Sequence, residues 1–221
     1  MEVVRISEIE RLTSDVKRFV VERPKGYSFT PGQATMVSIN KEGWKDKKGP
    51  FTFTSIPEDD FLEFIIKEYP LSKFPNHKGL TEELHKLGVG DELLIEEPWG
   101  VVSYKSPGVF IAGGSGITPF ISILRDLRKR GELLNNKLLF SNKSEIILER
   151  ELREMLGERV VLTLSDSKRD GYDFGRIDLD FLKRHVSDFS VSFYVCGPPS
   201  FVEDISRVLR DAGSNLDIVS F

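Results

Sequence analysis

The chain of 221 residues holds one cysteine, Cys196, and only three histidines. A single cysteine excludes an internal disulfide and any cysteine-held iron–sulfur cluster. His77, His85 and His185 stand at no metal-ligand spacing, so no metal is expected and each reads as an ordinary surface residue. Neither sign of charge dominates: 31 Lys and Arg against 35 Asp and Glu leave a formal net charge of −4, which speaks against a general binder of nucleic acid or anionic membrane and leaves local basic patches open. No apolar run is long enough to span a bilayer. No basic N-terminal segment leads into an apolar core with a cleavage site, and there is no repeat or low-complexity tract. The expectation is a soluble, cytoplasmic protein without membrane insertion.

What is present falls into two halves with different periods. Up to about residue 105 the chain reads as short strands, with strict alternation in Phe51-Thr52-Phe53-Thr54 and in Leu62-Glu63-Phe64 running on to Ile66-Lys67. A period of two predicts one buried and one wet face. Pro24, Gly26, Pro31, Gly32, Gly43, Pro57, Pro70, Pro75, Gly88, Gly90, Pro98 and Gly100 punctuate these runs, which favours an antiparallel β-barrel or sandwich. One short helix is predicted over Thr81-Glu82-Glu83-Leu84-His85-Lys86-Leu87, with Thr81 as N-cap candidate and Gly88 behind it. Ser106-Pro107-Gly108 reads as a linker, dividing the chain into domains 1–105 and 106–221.

Beyond it, Val109-Phe110-Ile111-Ala112, Leu138-Leu139-Phe140, Val160-Val161-Leu162 and residues 191–195 are compact apolar runs, as in strands buried on both faces. Helical stripes alternate with them. Phe120, Ile121, Leu124 and Leu127 follow Thr118-Pro119, read as N-cap and first helical residue; Leu148, Leu152, Met155 and Leu156 end at Gly157; Phe201, Val202, Ile205, Val208 and Leu209 end at Gly213. This alternation predicts an α/β doubly wound parallel sheet.

Gly113-Gly114-Ser115-Gly116-Ile117-Thr118 joins the first of these strands to a helix. Glycines permit a sharp turn and close approach of backbone to a ligand, and a helix N-terminus offers free amides to a diphosphate. Alone, such a turn is no better evidence for a site than for a tight junction. The fourth strand adds Cys196-Gly197-Pro198-Pro199 before another helix. In a sheet of order 3-2-1-4-5, strands 1 and 4 are neighbours at the switch point, where ligands bind outside the carboxyl ends.

Paired with one another, Gly-Gly-x-Gly-x-Thr-Pro and Cys-Gly-Pro-Pro resemble the nicotinamide-binding domain of the ferredoxin–NADP reductase family. The first half resembles that family's flavin barrel: Gly49-Pro50-Phe51-Thr52-Phe53-Thr54-Ser55 matches the first flavin segment, and Ile66-Lys67 with Gly79-Leu80-Thr81 the second. Among its members the chain is most similar to compact bacterial flavodoxin reductase-like proteins. The resemblance implies FAD, with FMN as the alternative, and NADH or NADPH as electron donor. It places Pro50, Phe51, Thr52 and Thr54 along the flavin, with Phe51 against the ring and Thr52 near its reactive N5 edge. Ile66, Lys67, Gly79, Leu80 and Thr81 fall at the ribityl and phosphate end. Gly113, Gly114, Gly116, Ile117 and Thr118 carry the dinucleotide, and Cys196, Gly197 and Pro198 stand beside the nicotinamide. Ser141, Asn142 and Asp166 fall at the adenosine ribose, and Phe221 over the far face of the flavin.

Each assignment has a plainer reading. Phe53 is better read as core, and Cys196 as a small buried hydrophobe that packs without nucleophilic chemistry. Two departures stand out. The family arginine that pairs with flavin phosphate is Gly49 here, beside Lys47 and Lys48, and lysine lacks the guanidinium fork. Val219 replaces an acidic residue two before the final aromatic. Asp166 stands where NADPH-specific relatives carry an arginine, which tips the expectation toward NADH, against Lys168 and Arg169 nearby. The implied activity is hydride transfer from NAD(P)H to flavin and onward delivery to a separate acceptor protein such as a ferredoxin, flavodoxin or oxygenase component. The rival expectation is a flavin-poor module that binds nucleotide or a partner without efficient catalysis.

Overall fold

The computed structural model describes residues 1–100 and 103–214; Val219 and Phe221 lie outside the described residues. The chain divides into two compact units. The first is Met1–Ser103 together with Ile121–Arg125, and the second is Tyr104–Phe120 with Asp126–Phe221.

The first unit holds β1 (Glu2–Thr13), β2 (Val16–Glu22), β3 (Ala34–Ile39), β4 (Gly49–Thr52), β5 (Phe61–Lys67), α1 (Leu80–Leu84) and β6 (Glu92–Ile95). Their order is β4-β3-β6-β1-β2-β5, antiparallel at every step. An antiparallel bridge from Phe53, one residue past β4, to Phe64 on β5 brings the two edges together as a barrel. Alternate residues fill it: Val4 and Ile6 from β1, Phe19 and Val21 from β2, Leu62, Phe64 and Ile66 from β5, with Phe53 and Phe29 stacked among them at 4.4 Å. Phe53 is therefore core, as its position in the alternation suggests. Burying one such ring contributes about 1.5–3 kcal/mol.

β5 departs from the expected wet face. Glu63 is only 2% exposed. Its Oε1 accepts from Thr54 Oγ1 at 2.7 Å and, within the same unit, from Arg125 Nη1 at 2.6 Å, while Arg18 lies 3.7 Å from Oε2. A carboxylate is tolerated at such depth only when charge and hydrogen bonds meet it together. The short helix also differs from expectation. α1 is capped by Gly79 in the left-handed region at φ 75°, without a side-chain cap, and Thr81 lies inside it with Oγ1 accepting from Tyr69 N at 3.1 Å. Residues 85–87 follow as a turn.

In the second unit, β7 (Gly108–Gly113), β8 (Lys137–Asn142), β9 (Val160–Leu164), β10 (Asp173–Phe174) and β11 (Ser192–Cys196) alternate with α2 (Thr118–Arg130), α3 (Glu149–Leu156), α4 (Leu179–His185) and α5 (Pro199–Asp211). The sheet is parallel throughout, in the order β10-β9-β8-β7-β11. All six residues of β7 are buried, as a central parallel strand requires. Val109 and Ile111 pack with Phe181 and Leu182 of α4 and Ile205 and Leu209 of α5. Phe110 instead meets Tyr194 at 4.6 Å and, edge-on, Phe120 of α2 at 5.0 Å. Helices therefore cover both faces.

The expected adjacency of the first strand and the last one before Cys-Gly-Pro-Pro holds, since β11 pairs with β7. The remaining described strand, β10, lies instead at the opposite edge, paired with β9 through two residues, and Thr163 Oγ1 donates to Gly175 O at 2.9 Å. Thr118 is not an N-cap. A 3₁₀ turn over Gly114–Ile117 runs straight into α2, and Thr118 Oγ1 donates back to Ser115 O at 3.0 Å. Among the described residues no helix is long and apolar enough to cross a membrane, and no cluster of His, Cys, Asp and Glu is arranged to hold a metal.

Candidate functional site

In the first unit, Pro50, Phe51 and Thr52 lie on β4, with Pro50 exposed and the other two half-buried. The two segments expected at a flavin are in contact. A Cβ built on Gly49 would stand 3.0 Å from Leu80 Cδ2 and 3.3 Å from Phe51 Cε2. Gly79 holds φ 75°, and a Cβ there would meet Leu71 Cδ1 at 3.2 Å and Trp44 Cη2 at 3.7 Å. Past that glycine the first amides of α1 have no partner within the helix. Such a bare backbone cradle beside a half-buried aromatic suits a phosphate-bearing flavin.

Not every candidate presents its side chain. Ile66 belongs to the barrel core, and Thr54 turns its hydroxyl inward to Glu63. Lys67, at the end of β5, is ion-paired with Asp15 at 3.0 Å. Two neighbouring features escaped the sequence reading. Lys47 Nζ lies 4.0 Å from the centroid of the Trp44 ring. In the loop before α1, Tyr69 stacks on His77 at 4.8 Å with Phe74 edge-on to both. Neither follows a period that alternation could reveal.

In the second unit the glycines divide by task. A Cβ on Gly116 would fall 2.5 Å from Gly197 N, against the backbone of the turn after β11. On Gly113 it would meet the Phe201 ring at 3.0 Å, and on Gly197 it would meet Phe201 Cδ1 at 2.6 Å. These three allow the turns after β7 and β11 to touch. Gly114 differs, with φ 56° and nothing within 4 Å of the Cβ position. It is the glycine past which a ligand has room. No side chain caps the 3₁₀ turn, so the amides that open it are left for an anion, whereas at the start of α2 Thr118 N bonds to Ser115 O and Pro119 has no N–H.

Around this edge stand the remaining candidates. Cys196 ends β11 and is buried, and Pro198 follows at the head of α5. Ser141 and Asn142 end β8 rather than follow it. The turns after β8 and β9 are tied by Ser165 N to Asn142 O and Asp166 N to Lys143 O, both 3.0 Å. Asp166 is exposed and accepts from Ser165 Oγ at 2.8 Å. Arg169 donates to Ser144 O at 3.2 Å and lies 5.3 Å over the Tyr172 ring, whose hydroxyl donates to Glu149 at 2.6 Å. That anchored network was not legible in the sequence. Burial pushes the Glu149 carboxyl up, but Tyr172, Arg153 and Arg169 together outweigh it and hold the group below the usual carboxylate range.

Comparison with known proteins identifies the two halves as domains. Residues 1–103 match the FAD-binding domain family and residues 110–207 the oxidoreductase NAD-binding domain family. The reductase component of propane 2-monooxygenase from Rhodococcus jostii is 27% identical over 98% of this chain and 62% of its own length. NADH-cytochrome b5 reductase 2 of Mycosarcoma maydis is 29% identical over 95% of this chain and 65% of its own. The chain thus spans somewhat less than two thirds of these relatives. A ferredoxin NADP+ reductase from Neisseria gonorrhoeae, solved with FAD and NADP, superposes with a TM-score of 0.81 at 21% identity, covering 99% of this chain and 98% of that one. The chain thus carries a match to the FAD-binding domain family followed by one to the oxidoreductase NAD-binding domain family, and it shares the fold of a ferredoxin NADP+ reductase.

Proposed function

We propose that the chain binds FAD on its first domain, over residues 1–105, accepts hydride from NADH bound on its second, over 106–221, and delivers electrons to a separate acceptor protein in the cytoplasm. The observation that carries this reading is the joint occurrence of the two matched domains with both sets of turns assembled: Gly49, Phe51 and Leu80 in one unit, Gly116 against Cys196-Gly197 in the other. FAD supplies the chemistry by taking two electrons with a hydride and releasing them singly. The residues bind and orient. Phe51 supports the ring, Thr52 hydrogen-bonds near its N5 edge, and Gly79, Leu80 and Thr81 supply backbone to the phosphate. Gly114 leaves room for the dinucleotide, Gly116 lets its turn close on Cys196-Gly197, Thr118 fixes the turn at the head of α2, and buried Cys196 shapes the nicotinamide pocket. Hydride transfer asks for near-attack positioning and a dry pocket rather than for an acid or base.

NADH is favoured because a 2′-phosphate would meet the exposed carboxylate of Asp166, while Arg169 is drawn back over Tyr172 to Ser144. Relatives named as a monooxygenase reductase component and as a cytochrome b5 reductase support a protein acceptor. The rival reading, a binding module with weak flavin affinity, draws on Gly49. Turnover with an artificial one-electron acceptor and saturating FAD decides between them. The expected result is a kcat/KM for NADH at least equal to that for NADPH, and a gain of roughly fivefold for NADPH in Asp166→Ala, the scale of about 1 kcal/mol for an exposed charge. No turnover with either nucleotide would overturn the reading.

A further inference from the structure

Position 49 offers no side chain to a phosphate. A Cβ there would stand 3.0 Å from Leu80 Cδ2 and 3.3 Å from Phe51 Cε2, so a side chain would have to displace the end of Leu80 by a few tenths of an ångström. The cation opposite the flavin phosphate must then come from elsewhere. Most lysines around α1 and β4 are already neutralised: Lys41 by Glu83 at 3.0 Å, Lys48 by Glu96 at 2.6 Å and Lys67 by Asp15 at 3.0 Å.

Lys47 is different. Its ammonium lies 4.0 Å from the Trp44 ring centroid, and among the described residues no carboxylate is within ion-pair distance of it. Trp44 is half-buried and packs on the barrel core. Its Cη2 lies 3.7 Å from the Cβ position of Gly79, the residue that opens α1. The indole is thus a fixed platform with one end against the backbone cradle and an ammonium on its face. A cation held on a ring keeps its full charge and its outward donors for an anion, whereas one clamped by a carboxylate does not. We propose that Lys47, seated on Trp44, is the cation that receives the flavin phosphate in this chain, in place of an arginine at position 49. The proposal rests on the FAD-binding reading and says which side chain carries the charge.

Flavins of graded structure test it by fluorescence quenching on the full chain freed of flavin. FAD and FMN carry phosphate; riboflavin has the same ring and none. Lys47→Ala is expected to weaken FAD and FMN about tenfold, the lower end of what a charge-assisted hydrogen bond contributes in an open, salt-screened groove, and to leave riboflavin affinity unchanged. Lys47→Arg should retain most of the affinity, and Lys45→Ala, from a neighbouring exposed lysine, should retain all of it. The salt dependence of FMN binding should flatten in Lys47→Ala only. Wild-type binding of FAD with no loss in Lys47→Ala, or an equal loss for riboflavin, would overturn the Lys47 proposal while leaving the flavin reading standing. Binding of none of the three flavins by the wild type would overturn both. Melting curves for each variant confirm that an exposed lysine has been changed without loss of fold.

Discussion

His85 sits at the end of α1 with Nε2 2.9 Å from Ile66 O, which makes that nitrogen the donor. Nδ1 is buried without a hydrogen-bond partner, 3.8 Å from the Glu68 carboxylate. Burial pushes the imidazole below its ordinary value near 6.5, with Lys17 and Arg11 adding to the push and the Ile66 bond and Glu68 opposing it. The folded protein therefore holds fewer protons than the unfolded chain just below pH 6.5. The stability that neutral His85 contributes is complete above that value and is lost as pH falls toward the lowered folded value. Thermal melts between pH 5 and 8 should show this decline, and His85→Gln, which keeps a donor for Ile66 O, should flatten it. A decline of unchanged size in the variant would place its origin in other groups. At this scale the sequence was least informative: His85 carries no spacing signal, and its neighbours come from β5 and β2, far along the chain.

Among the elements, the turn from β7 to α2 separates packing from binding one glycine at a time. Gly116→Ala puts a methyl group on the Cys196–Gly197 peptide, where backbone rather than a flexible side chain must yield. Overpacking of this kind costs about 1–3 kcal/mol, which lowers the melting temperature by a few degrees in a chain of this size. Gly114→Ala meets open space but must hold φ 56° with a Cβ, a strain of about 1 kcal/mol, and its methyl group would stand where a dinucleotide passes. Its NADH affinity should fall by more than its stability does, and Gly116→Ala should show the reverse order. Equal effects would mean that the turn acts as one structural unit. The glycine pattern was plain in the sequence, but which glycine faces a neighbouring turn and which faces a ligand depends on β11 lying beside β7. Likewise β10, two residues long, has no period to read, and α4 is one short stripe behind its Asp178 cap.

For the molecule as a whole, the change of period near residue 105 separated an antiparallel from a parallel architecture, because half-buried strands alternate and doubly covered strands do not. Closure of the barrel through Phe53 and Phe64 lay beyond that signal, since it is a pairing between distant strands. So did the burial of Glu63, which alternation assigns to solvent and which Thr54 and Arg125 make tolerable. The family motifs point to both halves of the candidate site, whereas the departure at Gly49 acquires meaning only from the Trp44–Lys47 pair. The central claim, that this chain passes hydride from NADH to FAD, is tested most directly by anaerobic titration of the FAD-reconstituted full chain with NADH. Bleaching of the visible flavin absorption, complete at about one equivalent of NADH per bound FAD, is the predicted result. A protein that binds FAD but whose flavin neither NADH nor NADPH bleaches would contradict it.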